Sequence, residues 1–492
     1  MQIINFANKK PIKENIFMSD AKNIEARKKD ILPFPVLQRK NQPEAEPEHR
    51  NAEVDFSKRV GEIKPVNGVG NGPVTWRFTV DKTEEFKNMG IPYSRLHDTE
   101  GQMGSGEFVN IHCIFKNFDA DVNDPASYNF AATDAYLKCI LNAGTKIFYR
   151  LGETIENNLD YVRSHTFAPK DPMKWAQICE HIIRHYNEGW ADGYHMGIEY
   201  WEIWNEPEGA PHTSPNWSGS RKEFFELYRI TANHLKKCFP NLKIGGFAST
   251  GFYELGSDET HTQSFIKSFF DYITAPETSA PIDFFSWHFY GSSPERARFE
   301  VAESQKMLES YNLGHIENIV DEWNYQVNWA LTEGIVRKSI KGAAFVSAMH
   351  CVFQKSALSK SMYYDAEVSR IHFCGLFNEY TMENEKPYLS FIAFNQLRKL
   401  GYEVYTSPDG DGLYSLAASD GERCAVMLVN YETDKFICNV SLKNADKYKH
   451  ADMYLLDENN DLERISSIGS DGGFGTFDVT MPKNSIVLLE LR

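Results

Sequence analysis

The chain has 492 residues, 42% hydrophobic and 13% aromatic, with a formal net charge of −16. That length suits one large domain plus a smaller one, and the acidic balance, with no basic stripe, excludes the clustered cations on which nucleic-acid binding depends. Eight cysteines are scattered without a CxxC pair or zinc-ligand spacing, so they read as reduced, mostly buried thiols, with neither a disulfide framework nor a metal site.

Residues 1–60 are weakly patterned. Pro43, Pro47 and the glutamates Glu44, Glu46 and Glu48 make a polar, proline-punctuated stretch that reads as an N-terminal arm or accessory segment. No apolar run reaches signal-peptide or membrane-span length, so the chain as given reads as soluble, cytoplasmic and free of membrane contact. From about 61 to 400, short apolar runs alternate with amphipathic segments. Eight candidate strands emerge: Ile63–Val69, Ile91–His97, Lys146–Leu151, Ile198–Trp204, Leu242–Phe247, Ile282–Tyr290, Glu317–Glu322 and Ser361–Asp365. Helical spacing marks Tyr136–Ala143, Trp175–Trp190, Phe224–Phe239, Phe265–Tyr272, Arg296–Tyr311 and Ile335–Phe353 between them. Strand–helix alternation repeated eight times predicts a (β/α)₈ TIM barrel. The glycine-rich Gly68–Gly72 lacks GxGxxG followed by a helix, so it reads as a loop and not as a phosphate cradle. Pro387–Gly401 reads as a last helix. Beyond it, over 401–492, Tyr414–Ala418, Cys424–Tyr431, Phe436–Leu442, Met453–Leu456 and Ile486–Leu491 read as strands of a small β-sandwich. Asp409-Gly410, Asp420-Gly421 and Asp471-Gly472 supply hairpin-type turns.

Two strand ends carry the chemistry. In Trp201-Glu202-Ile203-Trp204-Asn205-Glu206-Pro207-Glu208 an apolar strand runs into polar residues and stops before Pro207, which cannot extend it. Asn205 and Glu206 therefore sit at the carboxyl end of a strand, where the active sites of barrels lie. In Ile319-Val320-Asp321-Glu322-Trp323-Asn324 a second apolar strand ends in a carboxylate. Three βα units of ordinary size fit between Glu206 and Glu322, so the pair would end strands four and seven and face each other across the barrel mouth. Carboxyls about 5–5.5 Å apart suit double displacement with retention, whereas inverting enzymes need about 6.5–9.5 Å.

The WNEP tetrad with a later EWN resembles clan A of the glycoside hydrolases, and within it glycoside hydrolase family 39, the β-xylosidase and α-L-iduronidase family. Arg95-Leu96-His97, Lys243-Ile244-Gly245-Gly246 and Ser286-Trp287-His288-Phe289-Tyr290 are similar to that family's pattern, and the resemblance spans roughly residues 60 to 400. It implies a retaining, exo-acting glycosidase with Glu206 as general acid/base and Glu322 as nucleophile, working through a covalent glycosyl-enzyme without metal or other cofactor. Its partner would be a small oligosaccharide or glycoside, with a β-xyloside as first choice. Alternatives are an α-L-iduronidase-like or arabinosidase-like activity, or a non-catalytic carbohydrate-binding barrel. A homo-oligomer is compatible with the sequence. A metal-dependent hydrolase would need denser ligands than His97/Asp98 and His288 provide.

Strand alternation then nominates a supporting cast, since residues two apart share a side. Trp204 would share a face with Glu206, His288 with Tyr290, and Arg95 with His97. Tyr290 would donate to Glu322, Asn205 would bond the sugar 2-hydroxyl, and His97 and His288 would bond other hydroxyls. Trp323 would form an apolar floor, Arg95 would clamp a uronate carboxylate, and Glu153 and Asp365 would line the subsite. Glu202 and Glu208 read as structural. Glu206 should have a raised pKa, from desolvation and from its anionic partner.

Overall fold

The computed structural model describes residues 48–75, 78–99, 109–154, 166–208, 216–252, 262–328, 332–368 and 373–492. The part of the expected arm that precedes residue 48 lies outside the described residues. Eight parallel strands close on themselves: β2 (Gly68–Gly70), β3 (Tyr93–Arg95), β4 (Lys146–Leu151), β5 (Tyr200–Ile203), β6 (Lys243–Ser249), β7 (Phe284–Gly291), β8 (Glu317–Tyr325) and β9 (Lys360–Tyr363). β2 pairs with both β3 and β9, which seals the ring. All eight strands read from the sequence are present, with ends shifted by a few residues. Gly68–Gly70, read as loop, is the first of them. Glycine is needed there for close approach: a Cβ on Gly68 would lie 2.7 Å from the Ser361 carbonyl, and one on Gly70 would lie 2.7 Å from the Tyr364 ring.

Alternation along the strands stacks the interior in layers. Tyr93, Phe148, Tyr200, Phe284, Ile319 and Met362, one from each of six strands, form an enclosed apolar layer. Two residues further along five of those strands stand Arg95, Arg150, Glu202, Ser286 and Asp321, all buried. The barrel is thus oily near the strand starts and charged one layer higher.

Helices wrap the outside: α1 (Thr83–Met89), α2 (Ile111–Ile114), α3 (Ala131–Asn142), α4 (Pro172–Glu188), α5 (Arg221–Cys238), α6 (Thr262–Thr274), α7 (Pro294–Ser310), α8 (Glu333–Lys338), α9 (Ile340–Gln354) and α10 (Lys386–Leu400). Their ends are written locally. Asp171 caps α4 by accepting from the Met173 and Lys174 N–H groups, Pro172 opens it, and left-handed Gly189 closes it. Ser220 and Glu223 form a capping box on α5. The single helix expected over Ile335–Phe353 is two. Ser339 has extended backbone and its hydroxyl accepts from the Gly342 N–H, so it ends α8 and caps α9.

The second unit is one nine-stranded sheet in the order β15-β14-β17-β12-β11-β10-β1-β13-β16. Its strands are β1 (Glu48–Glu62), β10 (Tyr402–Thr406), β11 (Leu413–Ser419), β12 (Cys424–Asn430), β13 (Phe436–Lys443), β14 (His450–Leu456), β15 (Asp461–Gly469), β16 (Thr476–Met481) and β17 (Ser485–Leu491). Both ends of the sheet contribute to one core containing Val54, Val404, Leu428, Val440 and Leu489. The opposite face packs on the barrel through Leu416, Met427 and Leu488. β1 lies between β10 and β13, antiparallel to the first and parallel to the second, so a domain boundary near 60 cuts through a central strand. Asp471-Gly472 joins β15 to β16, which are not neighbours, so it is no hairpin turn between paired strands. All eight cysteines are free. No helix among the described residues is long and apolar enough to cross a membrane.

Because Val54 is fully buried in the sheet core, Val54→Asp should cost at least about 3 kcal/mol in urea unfolding, the penalty of an unpaired buried charge. The neighbouring Glu53→Gln, facing the other way, should stay within about 0.5 kcal/mol.

Candidate active site

Glu206 follows β5 and Glu322 lies within β8. The backbone leaves regular strand geometry before Glu206: Trp204 has φ 75° and Glu206 φ 46°, both left-handed. Such conformations are costly for non-glycine residues and persist where the surroundings enforce them. Here the Glu206 N–H donates to the Ala248 carbonyl at 2.9 Å. As a result Trp204 and Glu206 do not share a face. Trp204 turns into the helix layer, against Trp175 and Trp217, and its indole N–H donates to the Asn216 carbonyl at 2.9 Å.

Each glutamate has a distinct set of partners. Glu206 accepts from the Asn216 amide at 2.7 Å, and its other oxygen lies 2.7 Å from His288 Nδ1. Glu322 accepts from Arg95 Nη1 at 2.7 Å and from the Tyr290 hydroxyl at 2.8 Å. His288 Nδ1 also lies 3.4 Å from Glu322. One carboxylate oxygen from each glutamate and a ring nitrogen of His288 all fall within 4.8 Å of one another. A group of the same kind, Glu180, His234 and Cys238, lies on α4 and α5. In both groups a carboxylate is already paired with an arginine, Arg95 or Arg184.

Burial pushes the Glu206 carboxyl up to about 7; Asp98 adds to the rise, while Arg95 and Asn216 oppose it. Burial also raises Glu322 and the neighbouring Glu206 adds to the rise; His288, Arg95 and the Tyr290 hydroxyl oppose it without cancelling it. Burial lowers His288 to about 4, so its ring is neutral near pH 7. Glu322 therefore touches a guanidinium, whereas among the described residues the side chain of Glu206 bonds a neutral amide and a neutral imidazole. The geometry favours a proton on Glu206 and a charge on Glu322.

Arg95 holds these groups in place. It is only 1% exposed. Its Nε donates to Glu202 at 2.7 Å and lies 2.8 Å from Asp321, while Nη1 reaches Glu322 and Nη2 reaches Asn205 Oδ1 at 2.7 Å. With each nitrogen already bonded to a neighbour and the side chain almost fully buried, Arg95 is placed as a strut within the site and not, as expected from the sequence, as an open clamp for a substrate carboxylate. Arg95 holds Asn205 Oδ1, and Asn205 Nδ2 has no partner among the described residues.

The other expected residues divide. Tyr290 and His288 meet the glutamates as described. His97 is buried, with Nε2 3.3 Å from Asp98, and burial holds its pKa well below the ordinary value. Glu153 accepts from the His112 backbone N–H at 3.1 Å and pairs with the His112 ring. Asp365 accepts weakly from Asn71 at 3.4 Å, and burial pushes its carboxyl up to about 8. Trp323 is not a floor of the site. It packs against Phe345, His350 and Phe353 of α9, because a bulge in β8 lets Asp321 and Glu322 both face inward and turns the next residue outward. Glu208 is buried against the Ser249 and Thr250 hydroxyls. Sequence reasoning missed four contributors. Asn216 shows no motif. Ser286, which links Glu202 at 2.6 Å to the Ala248 N–H at 2.9 Å, looks like an ordinary strand serine. Asp98 and Asp321 adjoin nominated residues, and that adjacency was the only signal.

Fold and site together define a clan A glycoside hydrolase, so the chain is a glycosidase. The model of glycosyl hydrolases family 39 matches residues 68–403, and the chain belongs to that family. It is 28% identical over 209 residues to a beta-xylosidase of Geobacillus stearothermophilus (40% of this chain, 37% of the relative). It is 25% identical over 249 residues to a beta-xylosidase of Caldicellulosiruptor saccharolyticus (48% and 45%). The matched stretches thus span under half the length of either relative. Among solved structures, a glucosidase from Croceicoccus marinus superposes with TM-score 0.73 at 21% identity, covering 90% of this chain and 98% of that one. A monomeric beta-xylosidase from Caulobacter crescentus CB15 superposes with TM-score 0.68 at 16% identity (90% and 99%). At those identities the structures speak for the fold alone.

Removing the Arg95 cation leaves buried carboxylates uncompensated. Arg95→Leu should lower stability by about 3–5 kcal/mol at pH 7. The loss should shrink at pH 4.5, where the stranded carboxyls protonate more cheaply. Urea titrations at the two pH values test this, and an equal or larger loss at the acid pH would contradict the assignment.

Proposed function

We propose that this protein is a retaining, exo-acting β-xylosidase in which Glu322 is the nucleophile and Glu206 the general acid/base. The observation that carries the reading is the proximity of the two carboxylates, with oxygens within 4.8 Å of each other across His288 Nδ1. Oxygens that close support the separation of about 5–5.5 Å used for double displacement over the roughly 6.5–9.5 Å that inversion needs. The xyloside preference is supported by the activity named for both curated relatives. The uronate alternative is less well supported, because its candidate clamp, Arg95, is 1% exposed and each of its nitrogens already bonds a neighbour.

In the first step protonated Glu206 gives its proton to the leaving oxygen while Glu322 attacks the anomeric carbon. The bond to the aglycone breaks as the ester to Glu322 forms. Tyr290 and Arg95 hold Glu322 ionised and aimed. Esterification removes the negative charge of Glu322, which lowers the proton affinity of Glu206. Glu206 then acts as base, taking a proton from the water that displaces the sugar from Glu322. Asn205 Nδ2 offers a donor for a ring hydroxyl throughout, a contact that strengthens as charge develops on the sugar.

Three measurements on nitrophenyl and alkyl β-xylosides test the reading. NMR of the first-formed sugar should show the β anomer, and xylo-oligosaccharides should release xylose alone; an initial α product would end the retaining assignment. Glu322→Ala should abolish turnover on every substrate. Glu206→Ala should slow poor leaving groups by about 10²–10⁴ and good ones far less, and equal damage to both would refute its role as acid.

The pH profile follows from the same groups. Glu206 must be protonated in the free enzyme, and its pKa is raised to about 7, so kcat/KM should fall as pH rises through about 7. Glu206→Gln should abolish that limb. A basic limb that persists unchanged in the variant would assign it to another group.

A further inference from the structure

We propose that Asp321 is a positioning residue of this site: it carries a proton, donates it to Glu202, and so leaves the charge of Arg95 to Glu322. The kinetic part of this inference rests on Glu322 being the nucleophile; the structural part does not.

The argument begins with a shortage of hydrogens. Arg95 Nε has one, and two carboxylate oxygens compete for it, Glu202 Oε2 at 2.7 Å and Asp321 Oδ2 at 2.8 Å. The hydrogen points to Glu202. Neither oxygen of Asp321 receives a hydrogen bond among the described residues. Its other polar neighbour, His288 Nε2, is 3.7 Å away. The ionisable groups facing Asp321 are Arg95 from β3, Glu202 from β5, His288 from β7 and Glu322 from β8. Only Arg95 is cationic, since His288 is neutral. Three ionised carboxylates around one guanidinium would bury an excess of two negative charges where water does not reach.

A proton relieves that excess, and it is cheapest on the carboxyl with no donors to lose. Glu202 already receives hydrogen bonds from Arg95 and Ser286, and Glu322 receives them from Arg95 and Tyr290. That leaves Asp321, with Glu202 as acceptor for its hydroxyl. Burial raises the Asp321 carboxyl well above its ordinary range, and Glu202 and Glu322 add to this against the pull of Arg95. The functional consequence is direct. An ionised Asp321 would compete with Glu322 for Arg95 and repel its charge, raising the proton affinity of the nucleophile.

An asparagine reproduces the size, donor and acceptor of a protonated carboxyl, so Asp321→Asn should behave as wild type where Asp321→Val does not. Thermal midpoints at pH 5 and pH 8 provide a readout independent of activity. The wild-type native state holds a proton that the unfolded chain releases above about pH 4, so its stability declines as pH rises. The asparagine variant has no such proton to hold. Its midpoint should therefore gain on wild type by at least about 2 °C between pH 5 and pH 8. On an aryl β-xyloside, the acid limb of kcat/KM for Asp321→Asn should stay within about 0.3 pH units of wild type, while Asp321→Val lowers kcat about tenfold or more. A midpoint gap that is flat or shrinks with pH would overturn the proposal, as would an acid limb displaced downward by half a unit or more, the mark of a lost negative charge. An asparagine variant that does not fold would overturn it as well. If wild type turned over no glycoside, the proposed function would fall, yet the midpoints would still decide the state of Asp321.

Discussion

The site depends on one guanidinium. Arg95, at the end of a three-residue strand, reaches two further strands and the turn that follows one of them, and binds Glu202, Asn205, Asp321 and Glu322 at or under 2.8 Å. Desolvating a charge costs several kcal/mol even after relaxation, and Arg95 is tolerated only because anions surround it. The dependence runs both ways, since among the described residues none of the surrounding carboxylates has another cation within contact. The hydrogen bonds then propagate outward. Glu202 accepts from Ser286, Ser286 accepts from the Ala248 N–H, and the Ala248 carbonyl accepts from the Glu206 N–H. The backbone of Glu206 is thereby tied, through fully buried partners, to the arginine that holds the side chain of Glu322.

Strand alternation alone would not assemble this arrangement. Alternation puts Arg95, Glu202 and Asp321 in one interior layer above the aromatic one. The reacting groups are added by departures from it. A bulge in β8 inserts a residue so that Asp321 and Glu322 both face inward. Left-handed backbone at Trp204 and Glu206 swings the indole out and the carboxylate in. A register shift between Gly246 and Ser249 accompanies the left-handed Ala248 whose carbonyl receives the Glu206 N–H. Irregular backbone at all three strand ends converges on one point of the rim, as expected where conformational strain is retained for function.

These departures mark the limit of what the sequence made legible. The eight barrel strands, most outer helices and the two glutamates could be read directly, because apolar runs ending in a carboxylate survive any local kink. Roles inferred by counting residues two at a time failed wherever the count was broken. Trp204 was given the face of Glu206 by an alternation that the left-handed turn interrupts, and Trp323 was read as a floor although, next to the inward-facing Glu322, it points to the opposite side. Arg95 was placed in the right layer but assigned a ligand, since nothing in a linear sequence reveals that three buried acids from distant strands already claim it. β1 escaped notice for a different reason. Among its fifteen residues only Ala52, Val54 and Asp55 are buried, and its neighbours β10 and β13 lie more than three hundred residues away. Such a strand is defined by its partners and not by its own pattern.

Two glutamates on one rim have the same side chain, so their division of labour has to come from their neighbours. Burial raises both carboxyls and cannot distinguish them. The distinction lies in the donors. Glu322 is held by a permanent cation and a phenol, which stabilise a charge. Glu206 is held by a carboxamide and a neutral imidazole, which support either protonation state, and it keeps about 20% of its side chain exposed, which gives a leaving group or a water access to its proton. His288, bridging the two at Nδ1, stays neutral because the same burial opposes its charging. It can therefore sit between the two glutamates without neutralising either. The asymmetry rests on which glutamate the arginine touches. Transferring that contact to Glu206 would favour a proton on Glu322 and a charge on Glu206, the reverse of what the proposed mechanism requires, with every side chain still in place.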